Sequence, residues 1–538
     1  MKKRTIFFFL ASLCLMVAGG YGLKVAFTPD GEPSSPGSEH PPQISGEGEP
    51  QKGNIFIYGE VSSNQPVDTL FIKLWENYLG KFISDPGPEI KSMPLNEGSL
   101  MEGALDKRVF SYSSGEITDI GYLTIGDNKA SLLNLFMVRP GDSVYIHIDL
   151  KKGMTTFSGR SADRFRIQHE VELARQTYKM GQDPVMVTGS KDRFLKSGNY
   201  RDQYETAQKS PYRKMKFVET ENEKVAIMEQ ELVKIKNGNY PGIDILNANK
   251  HLMDRVDREV LKSRIIGETL YKTFNSFNIS YRKDSDEFNR LYNEYILETP
   301  LVDFDADIVI NSPLYMDYLM ERIVVESKVH GEPFYKIVER NFDSPLRDRL
   351  WGKFLMSYFS IYPHSGEMLR EILPKVSDSV VLTPLTNLSR QAIGTPMKEL
   401  SLPDSNGDTV RLSDFQGKVV LIDFWFTGCL PCVELFRTTV HPVELKYGQR
   451  EDFVVVSIAA DRNKDVWKKS LSEGRYSSAE AINLFMEDRF KHPFLKYYDI
   501  QAFPRLILLD KKGRIFRTSG LMDKYDLENA IESALAEK

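Results

Sequence analysis

Two cysteines three residues apart, Cys429 and Cys432, follow an apolar run that begins at Val419. The run is rich in β-branched residues and too short to cross a membrane, which is typical of a buried strand. Apolar residues after the pair recur at roughly helical spacing, so the pair is predicted at a strand-to-helix turn. A helix N-terminus stabilises an anion, and thiolate is the nucleophile of disulfide exchange. We therefore predict that Cys429 attacks and Cys432 resolves.

The number of cysteines supports a redox role for this pair. The chain has 3 cysteines, and the third, Cys14, lies in an N-terminal segment in which basic residues precede an apolar run. Residues 1–27 are therefore predicted to be a signal peptide or an uncleaved N-terminal membrane anchor. Exported proteins that rely on disulfides for stability normally carry several pairs. A single pair closing so small a loop fits a working disulfide better than a structural one.

Composition limits the class of partner. Charged residues make up 27% of the 538 residues, the formal net charge is −5, and no block of basic residues occurs. A nucleic-acid partner is therefore not expected, because phosphate binding requires a face rich in lysine and arginine. Residues 28–53 are rich in proline, glycine, serine and glutamate, which predicts a disordered linker.

Short alternating runs from residue 54 to 158 predict a small antiparallel β-sandwich. Two such runs place every second residue on one face of a strand. They are Leu70, Ile72 and Leu74 in the first run and Val144, Ile146 and Ile148 in the second.

From residue 159 to 390 the apolar period becomes helical, and a helical domain is predicted. One helix is marked by Val225, Met228, Leu232 and Ile235, with Gly238 just past its end. Another is predicted to start at Ser312, followed by Pro313 in the first turn. The aromatic and methionine stripes of this region are interpreted as core.

From Gly394 onward the sequence resembles the TlpA/ResA-like periplasmic thiol-disulfide oxidoreductases, AhpC/TSA-related members of the thioredoxin-fold superfamily. Several landmarks occur in the order of that family: Gly394-Thr395-Pro396, DTVRLSDFQGK at 408–418, the strand with its two cysteines, VVVSIAAD at 454–461, Trp467 and YDIQAFPRLILLD at 498–510. The resemblance implies an α/β thioredoxin fold over residues 391–538, a Cys429–Cys432 disulfide and no organic cofactor. The β-rich region also resembles the domain of unassigned role that precedes many TlpA-like chains.

The resemblance also implies a buried acid at Asp423, six residues before Cys429. A carboxyl in an apolar strand has a raised pKa and can exchange a proton with a nearby thiol. We therefore predict that Asp423 acts as acid and base for Cys432. The alternative is an acidic residue near a strand end that is hydrated or paired with a lysine.

Phe503 and Pro504 match the cis-proline loop that faces the cysteines in this fold, where the backbone before the proline can pair with an extended substrate. The family usually has a small or β-branched residue before the proline and threonine after it, whereas this chain has Phe503 and Arg505. Trp425 matches an aromatic residue beside the family's site and is predicted to contact substrate, with packing as the alternative. With one cysteine pair, no metal site is predicted.

The predicted function is a thiol-disulfide oxidoreductase of the periplasm or cell envelope, with anchoring to the inner membrane as an option. The resemblance implies reduction of disulfides in envelope proteins, with electrons from a membrane thiol-disulfide donor. It names apocytochrome c, and hence cytochrome c biogenesis, as one client. The alternatives are a disulfide oxidase or isomerase of the same fold, and a binding module in which the N-terminal domains carry the function. A peroxiredoxin is excluded because its peroxidatic motif is absent.

Overall fold

The computed structural model describes residues 52–537 except for 66, 81–82, 84–85, 99–106, 128–129, 197, 210, 212–213, 302, 360–361 and 363. The predicted signal or anchor and residues 28–51 of the predicted linker lie outside the described residues. Residues 50–538 belong to one unit. The domain boundaries predicted inside that unit stay predictions.

Nine strands form two sheets in the first part of the described chain. They are β1 (Gly53–Ser62), β2 (Thr69–Trp75), β3 (Glu89–Pro94), β4 (Asn96–Glu97), β5 (Lys107–Ile117), β6 (Gly121–Gly126), β7 (Ser131–Val138), β8 (Ser143–Asp149) and β9 (Met154–Ser158). One sheet has the order β4-β5-β1-β8-β9 and the other β3-β2-β6-β7. All pairs are antiparallel except β1 with β8, which is parallel. The first sheet is therefore mixed, where the sequence predicted antiparallel pairing throughout.

The two sheets share one hydrophobic core. Both predicted faces, on β2 and on β8, are buried in it, together with Ile55 and Ile57 of β1. The alternation of buried and exposed residues along each strand explains this arrangement, since successive side chains point to opposite faces. The parallel pairing of β1 and β8 could not be read from alternation, because alternation is the same for both directions.

Thirteen helices follow among the described residues, and two short paired strands, β10 (Val185–Val187) and β11 (Lys216–Val218), lie between the early ones. The helices are α1 (Ala162–Gly181), α2 (Lys191–Phe194), α3 (Gly198–Gln208), α4 (Glu221–Lys236), α5 (Ile243–Ala248), α6 (Arg255–Ser280), α7 (Asp286–Leu291), α8 (Ala306–Ile310), α9 (Pro313–His330), α10 (Phe334–Asn341), α11 (Leu346–Tyr358), α12 (Ser365–Ile372) and α13 (Ser379–Ser389). Within the described part of the chain, no helix combines the length and apolarity that crossing a membrane requires.

The one helix end and the one helix start predicted for this region lie close to those of the structure. All four marker residues of α4 are buried, and Gly238 after its end has φ +70, a conformation that favours glycine. Helix α9 begins at Pro313, as predicted, but the Ser312 side chain makes no capping hydrogen bond.

A five-stranded sheet with the order β16-β15-β14-β17-β18 forms the centre of the C-terminal part. The strands from here on are β12 (Ser401–Pro403), β13 (Thr409–Arg411), β14 (Val419–Trp425), β15 (Phe453–Ala460), β16 (Ile482–Met486), β17 (Arg505–Leu509) and β18 (Ile515–Arg517). The helices are α14 (Leu430–Leu435), α15 (His441–Tyr447), α16 (Lys464–Glu473), α17 (Pro493–Tyr497) and α18 (Lys524–Ala536). Strand β14 pairs in parallel with β15 and antiparallel with β17.

The central strand β14 is buried over its whole length. Val419 and Leu421 pack with residues of α15 and α18, whereas Val420 and Ile422 pack with residues of α17. Because side chains alternate along a strand, Asp423 belongs to the face that α14 and α15 cover. The same alternation puts Asp423 on the face of β14 that also carries Trp425, which packs with the cysteines.

A glycine in the longest helix gives a test of packing. A Cβ on Gly267 of α6 would lie 2.5 Å from the Cα and N of Tyr315 in α9. Alanine favours a helix over glycine by about 1 kcal/mol, but forcing extra volume into a packed contact costs about 1–3 kcal/mol. We expect Gly267→Ala to lower the free energy of unfolding, measured by urea denaturation.

The matched control for this test is Gly366→Ala in α12. A Cβ there would lie 3.8 Å from the nearest atoms, an ordinary contact. We expect no loss of stability, because only the helix propensity changes. Equal loss in both variants would contradict close packing of α6 on α9.

Candidate active site

The cysteine pair lies where β14 gives way to α14. Cys429 is the N-cap residue of α14, Pro431 lies in the first turn, and Gly428 before them has φ +96, which favours glycine. Cys429 and Cys432 form a disulfide. The backbone N–H of Cys432 donates a hydrogen bond to Cys429 Sγ over 3.1 Å. The structure therefore places the first sulfur at a helix N-terminus, where partial positive charge favours a thiolate.

Both cysteines are largely covered. Cys429 is 4% exposed and Cys432 3%, and they pack with Trp425, Trp467 and Tyr476. The neighbours of the first cysteine, Gly428 and Leu430, are exposed. Exposure alone does not distinguish the two sulfurs, so the assignment of Cys429 as the attacking one rests on its position at the N-cap.

Asp423 lies one side-chain layer along β14 from Trp425, on the helix-covered face, and is 3% exposed. Its Oδ1 atom accepts no hydrogen bond from any described residue. Burial, together with the smaller effect of the nearby charge of Glu444, raises the pKa of the carboxyl to about 7. The predicted alternatives of a hydrated carboxyl or a lysine partner do not agree with this environment.

Glu444 of α15 is a buried acid that the sequence analysis did not single out. It is 6% exposed, and neither carboxylate oxygen accepts a hydrogen bond from a described residue. Its Oε2 lies 3.5 Å from Nδ1 of His441, a half-exposed residue one turn earlier. A signal was present in the sequence, because Glu444 interrupts an apolar helical stripe formed by Val440 and Tyr447.

The proline loop faces the disulfide. The peptide bond between Phe503 and Pro504 is cis, and the carbonyl oxygen of Phe503 lies 4.0 Å from Cys429 Sγ. The Phe503 ring packs against Phe426, with ring centroids 6.0 Å apart. Cys429, Phe503 and Pro504 are thus neighbours in space although more than 70 residues separate them in sequence.

Arg505 follows the proline, where the family usually has threonine. Its side chain contacts the protein itself. Its guanidinium Nη2 donates to Oε1 of Gln391 over 3.2 Å. Burial lowers the pKa of this guanidinium. Gln391 in turn donates to the carbonyl of Tyr498 over 2.7 Å. The unusual arginine therefore ties the proline loop to the segment that enters the C-terminal part.

Trp425 does not lie where the predicted contact with substrate would require it, at the surface. It is 1% exposed, its ring stacks on Tyr476 with centroids 4.7 Å apart, and its Nε1 donates to Ser457 Oγ over 2.8 Å. A ring covered in this way offers no surface to a client, so Trp425 takes the packing role that was its alternative. Phe424 is fully buried on the opposite face.

Two further residues hold the loop before Cys429. The Tyr476 hydroxyl accepts the backbone N–H of Gly428 over 2.9 Å. The Asp461 carboxylate accepts the N–H of Thr427 over 3.0 Å and its hydroxyl over 2.8 Å. The sequence carried a signal for Asp461, which directly follows the strand beside β14, but none that would pair Tyr476 with Gly428.

A disulfide at a helix N-terminus, a buried acid on the strand before it and a cis-proline loop facing it define a thioredoxin-fold redox protein. Residues 392–531 match the Redoxin family. Two bacterial relatives are both thiol-disulfide oxidoreductase ResA. The Geobacillus kaustophilus protein is 26% identical over 31% of this chain and 91% of its own length, and the Bacillus subtilis protein is 23% identical over 26% and 75%.

A solved structure, the thioredoxin domain of a thiol-disulfide oxidoreductase from Bacteroides vulgatus, is 28% identical over 26% of this chain and 96% of its own, with a TM-score of 0.24. On the Redoxin match and the ResA relatives, the C-terminal part is a TlpA/ResA-like thioredoxin-fold domain and the protein is a thiol-disulfide oxidoreductase. The aligned regions of these relatives amount to 169 and 143 residues of this chain.

The raised pKa of Asp423 predicts how stability depends on pH. Its value is about 7 when folded, against an ordinary value of 3.8, so the folded state holds this proton more tightly than the unfolded state. The stabilisation is fully present below pH 3.8 and is lost as pH rises through 7. We expect Asp423→Asn to raise the free energy of unfolding by about 4 kcal/mol at pH 8 and by much less at pH 4.

The measurement is urea denaturation of the disulfide form at both pH values. The matched control is Asp408→Asn, which changes an exposed carboxyl in the same part of the chain. We expect it to alter stability by a similar small amount at both pH values. A gain from Asp423→Asn that did not grow with pH would contradict burial of an ionisable carboxyl at this position.

Proposed function

We propose that this protein reduces disulfides of partner proteins in the periplasm or cell envelope. The observation that carries the proposal is the position of Cys429 Sγ, which caps α14 and accepts the Cys432 N–H. In the reduced protein, these contacts would stabilise a Cys429 thiolate. The carbonyl of Phe503 beside it offers an acceptor for the backbone of an extended client.

In the first step, the Cys429 thiolate attacks one sulfur of the client disulfide. A Cys429–client bond forms, the client S–S bond breaks, and the other client sulfur leaves as a thiolate. In the second step Asp423 takes the proton of the Cys432 thiol, and the resulting thiolate attacks Cys429 Sγ. The second client sulfur leaves, two electrons have passed to the client, and Cys429 and Cys432 end as a disulfide.

The carboxyl below the pair suits the second step. A base is most effective when its pKa lies near the working pH, and the pKa of Asp423 is about 7. The step needs no organic cofactor. For a further cycle the disulfide must be reduced again, and we assign this to a membrane thiol-disulfide electron donor. The family resemblance supports both this donor and the reducing direction.

The reduction potential tests the direction of the reaction. The reduction potential of thioredoxin is about −270 mV and that of the oxidase DsbA about −120 mV. For a two-electron reaction this gap corresponds to a free-energy difference of about 7 kcal/mol. We expect a value closer to thioredoxin, measured by equilibration with dithiothreitol buffers. A value above about −150 mV would favour the oxidase alternative.

Trapping tests the roles of the two sulfurs. In Cys432→Ser the first step remains and the second is removed, so we expect the client to stay bound to Cys429 through a disulfide. The measurement is non-reducing electrophoresis of envelope extracts, with bands that disappear after reduction. The matched control is Cys429→Ser, which we expect to capture little. Equal capture by both variants would contradict the assignment of Cys429 as the attacking sulfur.

A further inference from the structure

A large cleft with both apolar and charged residues in its lining lies against α14, the helix that follows Cys429. Its volume is about 1020 Å³. Its walls come from α14 and the turns after it, from α16, from the segment between α16 and β16, and from the β12–β13 turn. The lining includes Val433, Arg437, Lys468, Leu471 and Arg475.

The cleft shares side chains with the packing of the disulfide. Val433 follows Cys432 directly, and both Val433 and Leu471 pack against the cluster that holds the two cysteines. Tyr476, which accepts the N–H of Gly428, follows the lining residue Arg475 in sequence. A molecule in the cleft would therefore contact residues that pack against the redox pair.

The charge of the cleft is of one sign. Three cations line it, Arg437, Lys468 and Arg475, and no carboxylate does. Arg437 is paired with Glu434 over 2.7 Å, and both side chains are exposed. Lys468 and Arg475 form no ion pair with any residue in the described ranges. The acids nearest to these two residues in sequence, Asp465 and Glu473, are outside the lining.

One unpaired polar atom also belongs to the lining. Oδ1 of Asn483 is buried and makes no hydrogen bond with the described residues. The Asn483 amide nitrogen is held by the carbonyl oxygens of Ser478 and Ala481. Buried polar groups normally have partners, so this lining is suited to a polar ligand.

We propose that the cleft binds an acidic stretch of the client polypeptide whose disulfide is reduced. This inference rests on the proposed function, because it names the chemistry of the client. Two free cations in a chain of net charge −5 form a local region of opposite sign, and such complementarity raises the rate of encounter and fixes the register of the partner. A cleft of about 1020 Å³ is large enough for several side chains of an extended segment.

The test compares two synthetic peptides. They contain the same disulfide and differ at four flanking positions, with aspartate in one and asparagine in the other. The reduced full-length protein acts on each at low salt, and chromatography follows the products. We expect the acidic peptide to be reduced about tenfold faster, with the advantage falling as salt is added.

The variant Lys468→Glu/Arg475→Glu reverses the charge of the cleft, and we expect it to lose the preference for the acidic peptide. The matched control is Lys469→Glu, on the same helix, exposed and outside the lining. We expect it to keep the preference. Equal rates for the two peptides with the unaltered protein, or equal loss in the control, would overturn the proposal.

A neutral small disulfide, hydroxyethyl disulfide, separates this proposal from the proposed function. It carries no charge, so we expect the unaltered protein and both charge variants to reduce it at equal rates. If the unaltered protein did not reduce it, the proposed function itself would fail. If it did and the peptide preference were absent, the cleft proposal alone would fail.

Discussion

The end of β14 is the constraint on which the site depends. The strand is buried on both faces and paired on both sides, with Phe424 opposite Ile458 on one neighbour and Arg505 on the other. Because hydrogen bonds to both neighbouring strands fix the path of β14, the chain leaves the sheet directly after Trp425. Gly428 makes the turn, and Cys429 becomes the cap of the next helix. The same pairing brings β17, and so Pro504, to the same end of the sheet.

The structure buries two neighbouring carboxyls, one on β14 and one on α15. Asp423 and Glu444 are both buried with unpaired oxygens, and the half-exposed His441 is the nearest group that can carry positive charge. A buried polar group without a partner costs free energy. Residues whose burial lowers stability occur mainly at functional sites. This environment supports the proposed role of Asp423 as the base for Cys432.

The segment between β15 and β16 shapes the surroundings of the pair. It contains α16 and supplies Tyr476, whose ring supports Trp425 and whose hydroxyl holds Gly428. It also supplies Lys468 and Arg475 of the cleft. This one segment thus covers Trp425 and also supplies the cations of the cleft. On the opposite side, Arg505 and Gln391 join the proline loop to the chain that arrives from the helical part.

The sequence by itself determined the strand before the cysteines, the helix after them, the faces of β2 and β8 and the start of α9, because local periodicity and turn residues decide these features. The ordered set of family landmarks around the two cysteines also indicated the class of chemistry, which the cysteine spacing alone would not have done. Only the tertiary structure decided the parallel pairing of β1 with β8, the packing role of Trp425, and the approach of Glu444 to Asp423. Each of these depends on contacts between residues far apart in the chain, and no local pattern encodes which distant side chain will cover a given one.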